Sequence, residues 1–263
     1  MRFFAYLKDA ETTLMLKKER QAYILHQINL HNKVLSAQLC EEINVSEDTI
    51  RRDLQELADG GKLIKVHGGA LSHSFSQINF NNNQVYSLEN KMVVARKAAR
   101  LIKDGMFVLT SGGTTIMELA KALPPTLRAT FISGSIPAVI EYMNHPNSEV
   151  VVIGDKVSKN ARITVGPEAI SQIRRIRADI CFLGINAIDT KHGVTDNDWD
   201  VVMIKRAMIE SAQKVVCLSI SEKINSFQPL HVCEIGQVDM LITEKDPSAP
   251  EMEPFRQLGI EVL

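Results

Sequence analysis

Between positions 46 and 71 the chain carries charged, amide and hydroxyl side chains whose spacing suits binding to double-stranded DNA. The segment SEDTIRRDLQELADGGKLIKVHGGAL holds two adjacent arginines, then two glycines, then a short basic stretch. A guanidinium can donate two hydrogen bonds to one guanine, and lysines attract backbone phosphates. The residues predicted to contact DNA are Ser46, Thr49, Arg51, Arg52, Gln55, Lys62, Lys65 and His67.

Helical spacing predicts which of these side chains face away from the protein core. Apolar residues recur at positions 50, 54 and 57, which places them on one buried stripe of a helix. On the opposite face we expect Arg52 to read a guanine and Gln55 to bond an adenine edge. Asp53 lies beside the stripe, so we interpret it as an internal salt-bridge partner and not as a DNA contact.

Two further helices and a hairpin must position this helix, and the sequence predicts them. Residues 16–30 have apolar residues at helical spacing, and Ser36 can cap a second helix. Ser46 can cap the DNA-reading helix, which Gly60 and Gly61 end. The residues expected to face inward on the first helix are Ala22, Ile24, Leu25 and Ile28.

After the glycines, residues 62–66 and 70–71 can pair as a small hairpin with its basic side chains toward the DNA backbone. An isolated charged triplet is more often a solvated helix face than a DNA-reading surface. The preceding helix pair and the following hairpin favour DNA binding here. Residues 15–71 are therefore predicted to form an α+β winged helix-turn-helix domain.

A second set of candidate residues follows the predicted strands of the remaining chain. The segment LTSGGTTIMELA predicts a strand, a Gly-Gly loop and a helix start with unpaired backbone N–H groups. A helix start can bind an anion, although such a loop alone is more often a plain turn. Other polar loops also follow strands, where open α/β sheets bind ligands. The residues predicted to bind a small-molecule effector are Ser111, Gly112, Gly113, Thr114, Thr115, Ser133, Gly134, Ser135, Gly184, Asp189, Lys205 and Lys223.

Strand and helix patterns alternate from residue 91 to 263, beginning with a predicted helix at 91–103 and ending with a predicted helix at 249–257 and a final strand. This alternation predicts an α/β domain with a mainly parallel sheet. Residues 72–90 are rich in serine and asparagine and are expected to link the two domains. Residues 1–14 are expected to be an extension, either disordered or an upstream misreading of a start at Met15.

Composition narrows the class of protein without naming a function. The chain of 263 residues is 45% hydrophobic and 23% charged, with a net charge of −1. Residues 15–71 hold eight basic and eight acidic residues, so DNA binding must depend on where the charges point and on salt. No apolar run approaches a membrane span, and no signal peptide stands out. The four cysteines are scattered, so we expect a cytoplasmic protein with no metal site and no cofactor.

The first segment resembles the signature of the DeoR family of bacterial transcription regulators, and the second segment resembles the DeoR-type effector domain. The resemblance implies a sensor domain related in fold to ribose-phosphate isomerases and CoA transferases. It also implies a repressor of a sugar-catabolic operon that a phosphorylated sugar or a related metabolite releases. Matching residues in the first segment are Thr49 to Leu54, Leu57, Gly61, Leu63, Lys65 and His67 to Ala70. Those in the second are Ser111, Gly112, Thr114, Thr115, Ser135, Pro137, Gly166, Pro167, Phe182, Gly184, Ile188, Asp189, Gly193, Thr195 and Lys223.

The chain departs from the family pattern at four positions of the sensor domain. Thr110 and Ile220 replace aspartates, Gly113 replaces a threonine and Gly134 replaces an asparagine. These changes remove acceptors for sugar hydroxyls, while the part that would hold a phosphate is kept.

Two other functions are compatible with the same residues. One is a sugar-phosphate isomerase-type enzyme with an accessory DNA-binding domain, for which Asp189 is the obvious acid or base. Another is a sensor domain that serves only for oligomerisation. A winged helix reads one half-site, so we expect a homodimer or homotetramer on operator DNA.

Overall fold

The computed structural model describes residues 15–72 and 85–263, and the predicted extension 1–14 lies outside them. The chain divides into two compact units, Met1–His73 and Ser74–Leu263. Most of the predicted linker also lies outside the described residues.

The first unit is a winged helix-turn-helix. Its elements in chain order are α1 (Lys17–His31), β1 (Lys33–Leu35), α2 (Ser36–Ile43), α3 (Glu47–Asp59), β2 (Ile64–Val66) and β3 (Gly69–Leu71). The strands form an antiparallel sheet in the order β1-β3-β2.

Apolar residues of the three helices and the hairpin form the core of this unit. Ile24 and Ile28 of α1 are fully buried, and Ile50 and Leu54 of α3 pack in the same cluster. The expectation that Ala22 faces inward is wrong, because this residue is exposed. At 100° per residue the buried side of α1 is centred on Ile24 and Ile28, and position 22 lies about 140° away from that centre, on the exposed face.

Strand β1 was not expected from the sequence, and it explains the Gly-Gly pair of the hairpin. The backbone of β1 passes so close to β3 that a Cβ atom on Gly69 would collide with the carbonyl oxygen of Val34. Gly68 forms the turn with φ of +76°, a left-handed conformation that glycine adopts without strain. The wing is therefore fixed to the helices through a third strand.

The second unit combines helices with several sheets. Its helices are α4 (Leu88–Ala99), α5 (Thr114–Lys121), α6 (Ile136–Met143), α7 (Pro167–Arg174), α8 (Trp199–Glu210) and α9 (Glu253–Gln257). Its strands are β4 (Phe107–Thr110), β5 (Thr130–Ser133), β6 (Glu149–Val152), β7 (Lys156–Ser158), β8 (Ile163–Val165), β9 (Ile180–Gly184), β10 (Ala187–Asp189), β11 (Gly193–Asp196), β12 (Val215–Leu218), β13 (Leu230–Cys233), β14 (Met240–Ile242) and β15 (Glu261–Val262). Short 3₁₀ turns cover Ser221–Lys223, Ile235–Gln237 and Pro250–Met252.

The main sheet is parallel throughout, in the order β15-β14-β12-β9-β4-β5-β6. Two large clusters of buried side chains pack the helices against this sheet. The predicted fold class, a winged helix-turn-helix followed by an α/β domain with a mainly parallel sheet, is confirmed. The small antiparallel sheets β7-β8 and β10-β11-β13 were not predicted, because their strands are three or four residues long.

Several predicted element boundaries differ from those observed. Helix α4 begins at Leu88 and ends at Ala99, three or four residues before the predicted 91–103. The predicted helix 249–257 is instead a 3₁₀ turn followed by the short α9. Each of these elements has a proline at its first or second position. In the described residues no helix is long and apolar enough to cross a membrane.

Candidate DNA-binding surface and effector site

The DNA-reading helix α3 starts at a side-chain cap. Ser46 Oγ accepts a hydrogen bond from the backbone N–H of Thr49 at 3.3 Å, and the two hydroxyls lie 2.9 Å apart. Glu47 and Asp48 occupy the first turn, where carboxylates stabilise the positive end of the helix dipole. The cap therefore fixes both hydroxyls predicted to contact DNA at one end of the helix.

Arg51 and Arg52 extend from the exposed face of α3 and share one carboxylate. Asp48 lies 2.8 Å from Arg51 and 2.7 Å from Arg52, and the Arg52 side chain is 77% exposed. Exposed ion pairs of this kind contribute at most about 1 kcal/mol. Either guanidinium can therefore leave Asp48 for a base or a phosphate at small free-energy cost.

Gln55 joins the helix to the wing. Its side-chain oxygen accepts from Lys65 Nζ at 2.9 Å, and its amide donates to Asp59 at 2.7 Å. Lys62 lies in the turn before β2, so the prediction that the strand begins at this residue is wrong by two positions. His67 is exposed at the tip of the hairpin. Their contacts with DNA stay predictions.

Beneath this surface a buried ion pair holds α1 against α3. Asp53 is 1% exposed and accepts from Arg20 Nε, while Gln21 donates to its other oxygen at 3.3 Å. The interpretation of Asp53 as an internal salt-bridge partner agrees with this geometry. The carboxylate orients the recognition helix and is not available to DNA.

In the second unit, the carboxyl ends of three neighbouring strands bring the predicted effector residues together. Thr110 at the end of β4 is in register with Ser133 of β5 and with Phe182 of β9. Ser133 Oγ donates to the carbonyl of Thr110 at 2.9 Å, and Ser111 Oγ accepts from the N–H of Gly184 at 2.8 Å. The loops after β4, β5 and β9 are thus joined at one edge of the sheet.

Glycines allow these loops to approach each other closely. A Cβ atom on Gly184 would collide with the carbonyl oxygen of Gly112, and one on Gly134 would collide with Thr164 Oγ1. Gly134 stands where the family pattern has asparagine, and Thr164 occupies the space that such a side chain would need. Packing against β8 therefore gives a physical reason for this departure.

Helix α5 begins at this edge without a side-chain cap from the described residues. Gly113 precedes it with φ of +114°, and Thr114 is buried while Thr115 is half-buried. Because the first-turn N–H groups of a helix lack intrahelical acceptors, they can bind an anion. The structure thus places the Gly-Gly-Thr-Thr segment as the sequence predicted, at a helix start beside three strand ends.

Lys205 lies in a buried polar network next to these loops. Its ammonium group is 2.7 Å from Asp196 of β11, and both side chains are at most 5% exposed. Burial alone would raise the pKa of Asp196, but Lys205 and hydrogen bonds from Asn197 and Asn186 hold it below its usual value. Lys205 is therefore already paired, and it orients the loop after β9 through Asp196 and Asn186.

Lys223 is a second buried cation at the same edge. It is 9% exposed and donates to the carbonyl oxygen of Ile185 at 3.1 Å. Burial and the charges of Lys91 and Lys205 lower its pKa to about 7. Lysines on loops are usually exposed, so the burial of Lys223 is unusual for its position in the fold.

Asp189 lies in the hairpin between β10 and β11, and its oxygens are occupied. They accept from the N–H groups of Lys191 at 2.8 Å and His192 at 2.5 Å, and from the His192 ring at 2.7 Å. Burial tends to raise the pKa of this carboxyl, but the bonds from His192 and Lys191 keep it below its usual value. No hydrogen bond among the described residues joins Asp189 to the strand-end loops. A role in effector binding stays a prediction.

Several polar residues of this edge were not predicted from the sequence. Asp196 was missed because it ends a short strand that is buried throughout. Lys91 was missed although it carries a readable signal. It stands three, four and seven residues before the buried Val94, Ala95 and Ala98, so it belongs to the apolar stripe of α4.

Comparison with known proteins agrees with this two-part organisation. The DeoR-like helix-turn-helix domain model matches residues 20–75, and the DeoR C-terminal sensor domain model matches residues 87–245. The chain is 30% identical to the HTH-type transcriptional regulator GolR of Listeria innocua, over 94% of this chain and 98% of that protein. It is also 30% identical to the HTH-type transcriptional repressor GlcR of Bacillus subtilis, over 95% of this chain and 96% of that protein.

Among solved structures the chain is similar to ribose 5-phosphate isomerase A from Methanocaldococcus jannaschii, with 20% identity and a TM-score of 0.38. This likeness covers 51% of this chain and 53% of the isomerase. The two domain models together span most of the chain, and the relatives are regulators and not enzymes. The chain therefore belongs to the DeoR family of DNA-binding transcriptional regulators.

Proposed function

We propose that this regulator represses a carbohydrate-catabolism operon and that a phosphorylated sugar or a related metabolite relieves the repression. The observation that carries this proposal is the buried Lys223 beside an uncapped helix start and three strand-end loops. Burying an ammonium group is unfavourable unless an anion or hydrogen-bond acceptors compensate it. A phosphate would supply that compensation.

Hydroxyl groups at the same edge support a sugar as the rest of the effector. The hydroxyls of Ser111 and Ser133 bond backbone groups of the strand-end loops, while Thr115 is half-buried at the start of α5, where its hydroxyl can bond to a polar ligand. The relative GlcR is named a transcriptional repressor, and this similarity favours repression over activation for this chain. Thr110 and Ile220 stand where the family has aspartates, so we expect few acceptors for sugar hydroxyls.

The protein is proposed to act as a homodimer or homotetramer on operator DNA. One winged helix-turn-helix reads only a half-site, and two half-sites bound together give the specific affinity that a regulator needs. The effector then needs to favour the DNA-incompetent state by only about 1–3 kcal/mol. Sedimentation of the free chain and of its complex with DNA would test the assembly.

A thermal-shift screen tests the ligand directly. Hexose and pentose phosphates are compared with the same sugars lacking the phosphate, for the wild type and for Lys223→Ala. The proposal predicts that at least one phosphorylated sugar raises Tm, that its unphosphorylated partner does not, and that Lys223→Ala removes the shift. If no phosphorylated sugar shifts Tm, the sensor domain serves only for oligomerisation and the proposal is wrong.

A further inference from the structure

Lys91 is a buried cation of the sensor domain that no motif assigns to the effector site. Its side chain is 6% exposed within the apolar stripe of α4, which packs along α5. Its ammonium group donates to the carbonyl oxygen of Tyr86 at 2.6 Å and lies 5.9 Å from the centre of the Tyr86 ring. A methionine or leucine would fill this position without the unfavourable burial of a charge.

The carboxylates nearest in effect to Lys91, those of Glu118 and Glu222, belong to α5 and to the turn that holds Lys223. Burial lowers the pKa of Lys91 to about 8, against the opposing effect of Glu118 and Glu222. Glu118 is instead paired with Lys121 at 2.9 Å, and Glu222 accepts from the Tyr86 hydroxyl at 2.5 Å. We call Lys91 and Lys223 the lysine pair.

Neither member of the lysine pair has a carboxylate within ion-pairing distance in residues 15–72 and 85–263. Each donates to one backbone carbonyl, at Tyr86 and at Ile185. Lys91 holds the carbonyl of Tyr86, and the hydroxyl of the same tyrosine bonds Glu222, the neighbour of Lys223 in the chain, so the two lysines lie at one place in the fold. The charge of Lys91 also lowers the pKa of Lys223, as expected where like charges repel. By contrast, the neighbouring Lys205 has its own carboxylate in Asp196. A ligand with negative charge would remove this repulsion and use the ammonium hydrogens that remain.

We infer that Lys91 and Lys223 together bind the anionic group of the effector, and that Lys91 connects the bound anion to Tyr86. This inference rests on the proposed function, because it names a further residue of the same site. An ammonium group has three hydrogens, so Lys91 can bond the anion while it keeps the Tyr86 carbonyl. The bound anion holds Lys91 in its charged form and strengthens that bond.

Tyr86 is placed to transmit the presence of the anion. Its carbonyl is held by Lys91, and its hydroxyl is held by Glu222, the residue next to Lys223. In the sequence it follows residues 73–84, which join the DNA-binding unit to the sensor domain. Binding of an anion to the lysine pair therefore acts on the first described residues of the sensor domain.

Calorimetric titration of the full chain with sulfate tests the binding role of Lys91. Sulfate does not titrate near neutral pH, so its affinity reports on the protein groups alone. Replacing Lys91 by methionine should weaken sulfate binding roughly ten- to a hundredfold, the value of one charge-assisted hydrogen bond. Lys91→Met should fold, because it replaces a buried charge by an apolar side chain, and circular dichroism checks this. The exposed Lys103→Met is the matched control and should bind as the wild type does.

The outcomes separate this inference from the proposed function. If the wild type and Lys91→Met bind sulfate equally while Lys223→Met does not, Lys91 is not part of the site and only the inference fails. If the wild type binds neither sulfate nor any phosphorylated sugar, the proposed function fails with it.

Hydrogen exchange of the peptide that covers residues 85–92 tests the connection to Tyr86. We expect sulfate to slow exchange in this peptide of the wild type and to leave it unchanged in Lys91→Met at saturating sulfate. Two results would overturn the role of Lys91 as the connecting residue. One is slower exchange in both proteins, and the other is unchanged exchange in both although sulfate is bound.

Discussion

Replacement of Arg52 by alanine should weaken sequence-specific DNA binding and leave the fold unchanged. The Arg52 side chain is 77% exposed on α3 and contacts only the exposed carboxylate of Asp48 among the described residues. Surface substitutions of this kind usually change the free energy of unfolding by less than about 0.5 kcal/mol. A loss of DNA binding would therefore report on recognition and not on stability.

The expected size of the effect follows from two opposing contributions. A bidentate contact between arginine and guanine is worth about 1–3 kcal/mol of discrimination. To make it, Arg52 must leave Asp48, and that exposed pair contributes at most about 1 kcal/mol. The net loss is about 1–2 kcal/mol, which is roughly a five- to thirtyfold increase in Kd.

Fluorescence anisotropy with two duplexes measures this loss. One duplex is obtained by in vitro selection with the wild type, and the other has a random sequence. Arg52→Ala should raise Kd for the selected duplex and change Kd for the random duplex little. Lys18→Ala, which removes an exposed charge from α1, is the control and should keep the ratio of the two affinities. An equal loss on both duplexes leaves the ratio of the two affinities unchanged. That result would show that Arg52 contacts phosphates only and would refute its assignment as a base-reading residue.

Three further predictions concern the interior. Lys205→Met should lower the free energy of unfolding by about 3–5 kcal/mol in urea titrations, because it leaves the buried Asp196 carboxylate unpaired; a loss below about 1 kcal/mol would contradict the pairing. Gly69→Ala should unfold the wing and abolish DNA binding, because its Cβ would meet the Val34 carbonyl; a cooperative transition with wild-type Tm would argue against that contact. The lysine pair has folded-state pKa values of about 8 and about 7, below the unfolded value, so the unfolded chain binds more protons above pH 7. The ligand-free chain should therefore gain stability relative to the double methionine variant as pH rises from about 7 to about 10, while sulfate binding weakens. A loss of stability over the same range would show that the folded-state pKa values of the two lysines are not lowered.

The DNA-binding unit was predictable because its signals are local in the sequence. The stripe at Ile50, Leu54 and Leu57 repeats at helical spacing, and Ser46 marks the start of the helix. The third strand, Lys33–Leu35, was not predictable, since three residues cannot show a strand period. The only sign of this strand in the sequence is Gly69, because the close approach of the strand leaves no room for a Cβ atom there.

In the sensor domain, the order of strands and helices was predictable from the sequence, but the burial of its lysines was not. Lys223 follows a strand on a loop, and only the tertiary packing buries it. Lys91 was readable in principle as a lysine within an apolar stripe, yet its partner Tyr86 and its proximity to Lys223 depend on how α4 packs. Local patterns identify which residues share a face, and long-range packing decides which charges meet.

In the proposed mechanism, the DNA-reading helix and the anion site of one chain control each other. The most direct measurement is the affinity of the full chain for the selected duplex, with and without the phosphorylated sugar that raises Tm. The saturating sugar should weaken DNA binding by at least fivefold, as a coupling free energy of about 1 kcal/mol or more requires. A sugar that binds tightly and leaves the affinity for DNA unchanged would show that the two sites are not coupled.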